Sequence, residues 1–292
     1  MRVVIFSNAN GWHERKLIAA LRSIGAEPAV VSLADCVFSP SGQFGGVRIP
    51  GFPDELPSAA FVRGIAAGSF EQVTLRLGFL HALAQMSVRV VNSAKVIERT
   101  VDKSMTSHLL IRNSVATVPA WTCESREYAL ELIRSSIRLK RKLVLKPLFG
   151  SRGRGLELIQ AESDLPDEQA VNGVYYLQEF VPSDDSYWRD WRIMVVGNDA
   201  ICAMERRSDS WVTNRARGAQ CLPAKLPDEA LQLAVQAAAA VEADYAGVDV
   251  IHTRGAGWQV IEINGVPAWQ GLQEVSDTDI ARAFARLVTG TS

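Results

Sequence analysis

A mixed α/β architecture, with an α/β opening lobe and an α+β remainder, is what the sequence predicts, and three observations predict it. Apolar runs alternate with helical patterns from Arg2 to Ser93 in β-α-β order, which suits a parallel sheet covered by helices. Strand-like runs then follow one another in "VYYLQEFV", "WRIMVVG" and "AICAMERR", the order of an antiparallel meander. Between the two kinds of pattern, the Gly-rich "KPLFGSRGRG" comes directly off an apolar strand.

Taken in order, Arg2 to Phe6 is a β-branched apolar run, "SNANG" a turn, and Leu17, Ala20, Leu21 and Ile24 the apolar face of a helix that Gly25 stops. Pro28 to Leu33 supplies the second strand. Ser39 to Pro57 is rich in Gly, Pro and Ser and reads as a loop-rich insertion with hairpin content. "AAFVRG" and "VRVVNS" are two more strands flanking a helix that carries Gln72, Leu75, Leu77, Leu80 and Leu83. Glu98 to Asn113 reads as one helix, Pro119 opens an extended stretch, and the helix "ALELIRSSIRL" leads into the strand "KLVLKP". Beyond the meander, Ala230 to Ala243 is helical, "GVDVIHT" and "WQVIEIN" form a closing pair joined by "RGAG", and "DIARAFARLV" is the last helix. Three units are expected, over 1–96, 97–177 and 178–292.

The 292 residues, 48% hydrophobic and 22% charged, suffice for more than one core. Lys and Arg total 31 against 32 for Asp and Glu, so no global field favours nucleic acid or an anionic membrane, and neither is expected as a partner. Cys36, Cys123, Cys202 and Cys221 form no CxxC pair, which argues against a zinc site or a disulfide framework. "MRVVIFSNANGWHERK" lacks the apolar core of an export signal, and no run approaches the roughly 18 to 20 apolar residues that span a bilayer. A cytoplasmic protein is expected.

Two features carry chemistry. In the first, Lys146 ends a strand, and Gly150, Ser151, Gly153 and Gly155 follow it in a loop whose backbone N–H groups can close over an anion, with Arg152 and Arg154 at hand. It is not a Walker A loop, because no Lys-Ser or Lys-Thr follows the last glycine; the bland alternative is a basic hairpin turn. In the second, Glu262 and Asn264 stand at i and i+2 of one apolar strand and emerge on one face, with Asp249 on the preceding strand beside them if the two pair. Two carboxylates and an amide oxygen make a hard donor set suited to magnesium, with manganese as the substitute. The alternative is acidic residues merely solvated at strand ends.

In this order, "DKSMTSHLL", "KPLFGSRGRG", "LQEFV", "DWRIMVVG", "ERR" and "GVDV...EIN" resemble the ATP-grasp superfamily, and most closely its RimK-like branch of glutamate and amino-acid ligases. The resemblance implies an ATP-grasp fold: a Rossmann-like pre-ATP-grasp domain, then two α+β subdomains with ATP between them. It implies Lys103 and Lys146 on the phosphates, the glycine loop over them, and Gln178, Glu179, Phe180 and Val181 as the hinge that reads adenine. Asp190 falls where the family places an acidic residue near the ribose, with Asp184 and Asp185 as alternatives because "FVPSDDSYWR" is longer than usual. Asn214 is assigned to the nucleotide, Asp249, Glu262 and Asn264 to magnesium, and Arg192, Arg206 and Arg217 to the substrate carboxylate and acyl-phosphate. The activity implied is joining a carboxylate to an amine through an acyl-phosphate, the substrates being an amino acid and a carboxylate on a peptide, protein tail or pterin-type cofactor. A homo-oligomer is compatible with it. Rival classes are an ATP-grasp kinase and a nucleotide-binding module without turnover.

Arg63 ends a strand of the first lobe at the edge where open α/β sheets bind ligands, and is either a carboxylate anchor or a surface ion pair. His13, His81, His108 and His252 lack metal spacing and read as structural. Trp188, Trp191 and Trp211 are expected near the cleft, as a stacking platform or as core.

Overall fold

The computed structural model describes residues 1–39, 43–150, 153–183 and 185–290. In the first lobe, β1 (Arg2–Phe6) is followed by α1 (Trp12–Ser23) and β2 (Glu27–Val31). A short excursion comes next, with β3 (Val37–Phe38), the single-turn α2 (Gln43–Gly46) and β4 (Val47–Arg48), where β3 and β4 form a two-stranded ribbon in the loop-rich insertion. Then come β5 (Ala59–Val62), α3 (Phe70–Gln85) and β6 (Arg89–Val91). The sheet is parallel in order β2-β1-β5-β6, so Arg63 and the Ser7–Gly11 turn leave adjacent strands at their carboxyl ends. α1 starts where Glu14 reaches back to accept the Gly11 N–H at 2.8 Å, and it buries Leu17 and Leu21.

The segment read as one helix is two, α4 (Ala94–Val101) and α5 (Lys103–Arg112). Asp102 separates them, because its extended backbone ends one helix while its carboxylate caps the next, accepting the Ser104 and Met105 N–H groups at 2.8 and 3.2 Å. The break makes Lys103 the first residue of α5.

β7 (Ala120–Cys123), α6 (Arg126–Arg138), β8 (Leu143–Lys146), β9 (Glu157–Ile159) and β10 (Tyr175–Glu179) form an antiparallel sheet in order β7-β10-β8-β9, packed on α6 through Ala129 and Ile133. This corrects the expected meander. "VYYLQEFV" pairs between β7 and β8, and only the next two runs form a hairpin, β11 (Trp188–Val196) with β12 (Asp199–Ser208). With β13 (Gln220–Pro223), β14 (Tyr245–Thr253) and β15 (Gly257–Asn264) they make a larger antiparallel sheet, β13-β12-β11-β14-β15, and α7 (Asp228–Ala240) connects β13 to β14. The small side chains of α7, Ala234, Ala237 and Ala238, let it lie close against Ile193, Val248 and Ile263 on one face. The opposite face is left for the site.

The chain ends with α8 (Gln270–Glu274) and α9 (Ile280–Thr289), and α9 returns to the first lobe, where Phe284 packs on Phe61 and Tyr245 in one continuous core. The fully buried Asn92 locks the same junction. Its amide donates to the Tyr245 and Gly265 carbonyls, both at 2.7 Å, and accepts from the Asp244 and Tyr245 N–H groups. No helix among the described residues is long and apolar enough to cross a membrane.

Candidate active site

The smaller and larger sheets face each other across a cleft walled by Val118, Val144, Phe180, Trp211, Ile251 and Ile261. Strand register supplies the polar groups. Asp190 and Arg192 are two apart on β11; Arg206 of β12 lies opposite Asp190, Asp249 of β14 opposite Arg192, and Glu262 of β15 opposite Asp249. The β14–β15 register slips immediately after this rung, where Asp249 pairs Glu262 but Val250 pairs Val260. That bulge lets both Ile261 and Glu262 line the cleft, which strict alternation would forbid.

The carboxylates and arginines are tightly paired. Arg192 Nε and Nη2 donate to Asp249 Oδ1 and Oδ2, both at 2.7 Å. Arg206 Nε and Nη2 donate to Asp190 at 2.7 and 2.5 Å, and Nη2 also lies 3.0 Å from Asp249 Oδ2. Thr213 Oγ1 donates to Asp190 at 2.7 Å. Asp249 and Arg206 are only 2% and 3% exposed, so each charge would be costly without its partner. Burial pushes Asp249 up, but the two guanidiniums outweigh it and hold the carboxyl below its ordinary value. At Asp190 burial prevails over Arg206 and raises the carboxyl. The two pairs cancel in charge, and the cleft is also lined by Glu179 and Arg189, which pair with Arg141 and Asp185, and by Lys103, Lys146, Arg154 and Glu262.

Lys146 Nζ donates to Gln178 Oε1 at 2.5 Å, and Lys103 Nζ reaches the Leu148 and Gly150 carbonyls, both at 3.2 Å. Burial lowers both ammonium groups, and the Glu262 carboxylate opposes it. The glycine loop leans across the cleft: Arg217 donates to the Gly153 carbonyl at 3.1 Å, and a β-carbon on Gly153, at φ +66°, would collide with the Asn214 side chain. Ser151 and Arg152 lie outside the described residues.

At the hinge, the Glu179 and Phe180 N–H groups donate to the Pro119 and Lys142 carbonyls, both at 2.8 Å, while the Glu179 carboxylate turns outward to Arg141. Phe180 packs against Trp188 and Trp211, with ring centroids 5.4 and 5.9 Å away. Trp191 leaves the expected cluster: three residues on from Trp188 it points to the other face of β11, against Trp258. Asp185 is paired with Arg189 at 2.9 Å, and Asp184 lies outside the described residues. Asn264, two residues beyond Glu262 on β15, donates to the Gly247 carbonyl at 3.4 Å.

Among the described residues Arg63 makes no surface ion pair. Its guanidinium lies 5.0 Å over the Trp269 ring, and its Nε is buried without a partner. His13, read as structural, stands beside it with its ring 4.4 Å from Trp269.

The architecture is that of an ATP-grasp ligase, two facing sheets with a basic cleft and an overhanging glycine loop. The profile of the RimK-like ATP-grasp domain matches residues 100–288, and the chain belongs to that family. It is 34% identical over 229 residues to the tetrahydromethanopterin:alpha-L-glutamate ligase of Methanococcus maripaludis, covering 76% of each chain. It is 25% identical to the alpha-aminoadipate–LysW ligase LysX of Saccharolobus solfataricus, covering 93% of this chain and 94% of that one. In fold it is similar to the ATP-grasp ligase PsnB, solved with a minimal precursor, magnesium and ADP, at a TM-score of 0.76 and 19% identity over 99% of this chain and 96% of that one. The protein is an ATP-dependent carboxylate–amine ligase of the acid–amino-acid class.

Proposed function

We propose that the chain joins an acidic amino acid, L-glutamate or a near homologue, through its amine to a carboxylate on a larger acceptor, with ATP bound in the cleft between the two sheets. The observation that carries the reading is the convergence of Lys103, Lys146, Asp249 and Glu262 on one cleft beneath the glycine loop. Glutamate is favoured because the relative from Methanococcus maripaludis is named for it and LysX for its homologue α-aminoadipate.

The apolar walls and Phe180 would hold adenine. With the Glu179 and Phe180 N–H groups committed, the base edge falls to the Glu179 carbonyl and the Val181 N–H. Lys103, Lys146 and the loop at Gly150, Gly153 and Gly155 take the phosphates, and Asn214 meets the loop from the far side. Among the described residues no group of three His, Cys, Asp or Glu gathers as a metal site, but magnesium needs fewer protein ligands than that, and Asp249, Glu262 and Asn264 offer three oxygens on one rung and the next. They fit the ion, which when bound neutralises charge on the phosphates.

The acceptor carboxylate attacks the γ-phosphate while Lys146 offsets the charge that builds there, giving an acyl-phosphate and ADP. Arg192 and Arg206 spend Nε and Nη2 on Asp249 and Asp190, so each presents Nη1 to the acyl-phosphate and then to the tetrahedral oxyanion formed when the amine attacks. On this reading Asp190 acts by positioning Arg206 rather than at the ribose. Loop closure excludes water that would hydrolyse the intermediate.

Incubation with ATP, magnesium, L-glutamate or α-aminoadipate and pooled carboxylates, with ADP, phosphate and product mass recorded, tests it. The expected product is heavier by one amino acid less water. A stable phosphorylated product without an amide, or ATP binding without turnover, would overturn it.

A further inference from the structure

We propose that Arg63 and His13 form an anion cradle for a non-reacting carboxylate of the amino acid that supplies the amine. The cradle rests on the ligase reading above and extends it to a second subsite, built by the first lobe and the loop after β15.

Four observations converge. Arg63 leaves the carboxyl end of β5, its backbone N–H fixed to the Phe6 carbonyl at 2.9 Å, and its side chain is laid flat over Trp269. None of its five guanidinium N–H donors meets an acceptor among the described residues, and its Nε is shut away from water, so the group is held in place without being neutralised by direct pairing. Glu14, the carboxylate whose field reaches Arg63, is occupied. It is 4% exposed and accepts from Ser7 Oγ at 2.9 Å and from the Gly11 N–H at 2.8 Å, so it tempers the charge of Arg63 without capping it.

His13 supplies the second donor. The Trp269 backbone N–H donates to His13 Nε2 at 3.2 Å, which makes Nε2 the acceptor and places the ring proton on Nδ1. Burial, and then Arg63, hold the imidazole down at about 4, so at neutral pH it stays an uncharged donor. Arg215 adds positive field at the same ring, although its own guanidinium is tied to Glu274 at 2.9 Å. A fixed guanidinium beside an oriented neutral N–H suits one planar carboxylate, gripped by Arg63 and touched by Nδ1–H.

The position suits the amine donor. Trp269 lies five residues beyond Asn264, and Pro267 of the same loop packs at Gly247, where the Arg192 side chain also approaches. The loop after β15 therefore ties Trp269, on which Arg63 lies, to the strand position beside Arg192. An amino acid held there by a carboxylate can point its amine back toward the activated carbonyl.

Calorimetric binding to the protein saturated with a non-hydrolysable ATP analogue and magnesium tests the cradle. The probes are L-glutamate, L-α-aminoadipate and a panel of the other amino acids. For the ligand that binds wild-type protein, Arg63→Met is expected to weaken binding by at least about 30-fold and His13→Phe by about fivefold, with analogue affinity unchanged. Arg63→Lys separates charge from fork and should recover part of the loss. A thermal melt of each variant excludes collapse of the Trp269 contact as the cause. Wild-type binding that Arg63→Met and His13→Phe leave intact overturns the cradle while the ligase reading stands. Absence of binding by every amino acid also overturns the cradle, and the product-mass assay then decides the ligase reading separately.

Discussion

The molecule holds arginines in two opposite ways. Across the large sheet, Arg192 and Arg206 are each gripped by a carboxylate at two points, and the four charges cancel in a region almost closed to water. At the edge of the first lobe, Arg63 is held instead by an aromatic face and the chain around it, with no bonded carboxylate among the described residues. The first arrangement fixes geometry and leaves little net charge. The second keeps its charge available. A site that must stabilise a fleeting oxyanion gains from rigid, pre-aimed donors, whereas a site that must capture an anion gains from an unneutralised one.

Arg206→Met attacks the paired region most severely. It strands Asp190 and half of the Asp249 partnership in a buried setting, and a stability loss of about 3–5 kcal/mol is expected in urea melts. An unchanged melt would mean that the network contributes little. Glu262→Gln leaves the four-charge network whole but removes the carboxylate facing the lysines; turnover should fall on the order of 10²-fold and the magnesium dependence should shift to higher concentration. Gly153→Ala is milder: the left-handed backbone and the crowding by Asn214 should hold the loop open, lowering kcat about tenfold with stability within about 1 kcal/mol.

The remaining test bears on the Arg63 region. The folded His13 sits at about 4 against an ordinary 6.5, so between those values the unfolded chain binds more protons than the folded one. Stability should therefore be full above about pH 6.5, fall as the pH drops toward 4, and level off below. Chemical denaturation across that range, repeated on His13→Phe, should show a shallower fall in the variant; identical slopes would place the imidazole in open solvent.

Much of the site was legible because its signals are local. The strand ending at Lys146, the glycines after it, and the i, i+2 spacing of Glu262 and Asn264 depend only on neighbouring residues and strand periodicity. The same periodicity could have separated Trp191 from Trp188, since an odd offset on a strand reverses the face. The Asp102 break was also within reach, because an Asp followed by free backbone N–H groups is an N-cap signal.

By itself, then, the sequence determined the mixed architecture, the order of its elements, and the residue types able to hold a nucleotide and a divalent ion, because these follow from periodicity, turn chemistry and local spacing. The tertiary structure alone decided that β10 leaves the meander for the smaller sheet, that the β15 bulge turns two successive residues into the cleft, and that Arg206 answers to Asp190 and Asp249. It alone set Trp269 beneath Arg63 and beside His13, more than 200 positions away in the chain. Each of these depends on strand register or on packing between distant segments, and in a folded chain those are fixed by which surfaces can be buried together, a quantity that no stretch of neighbouring residues contains.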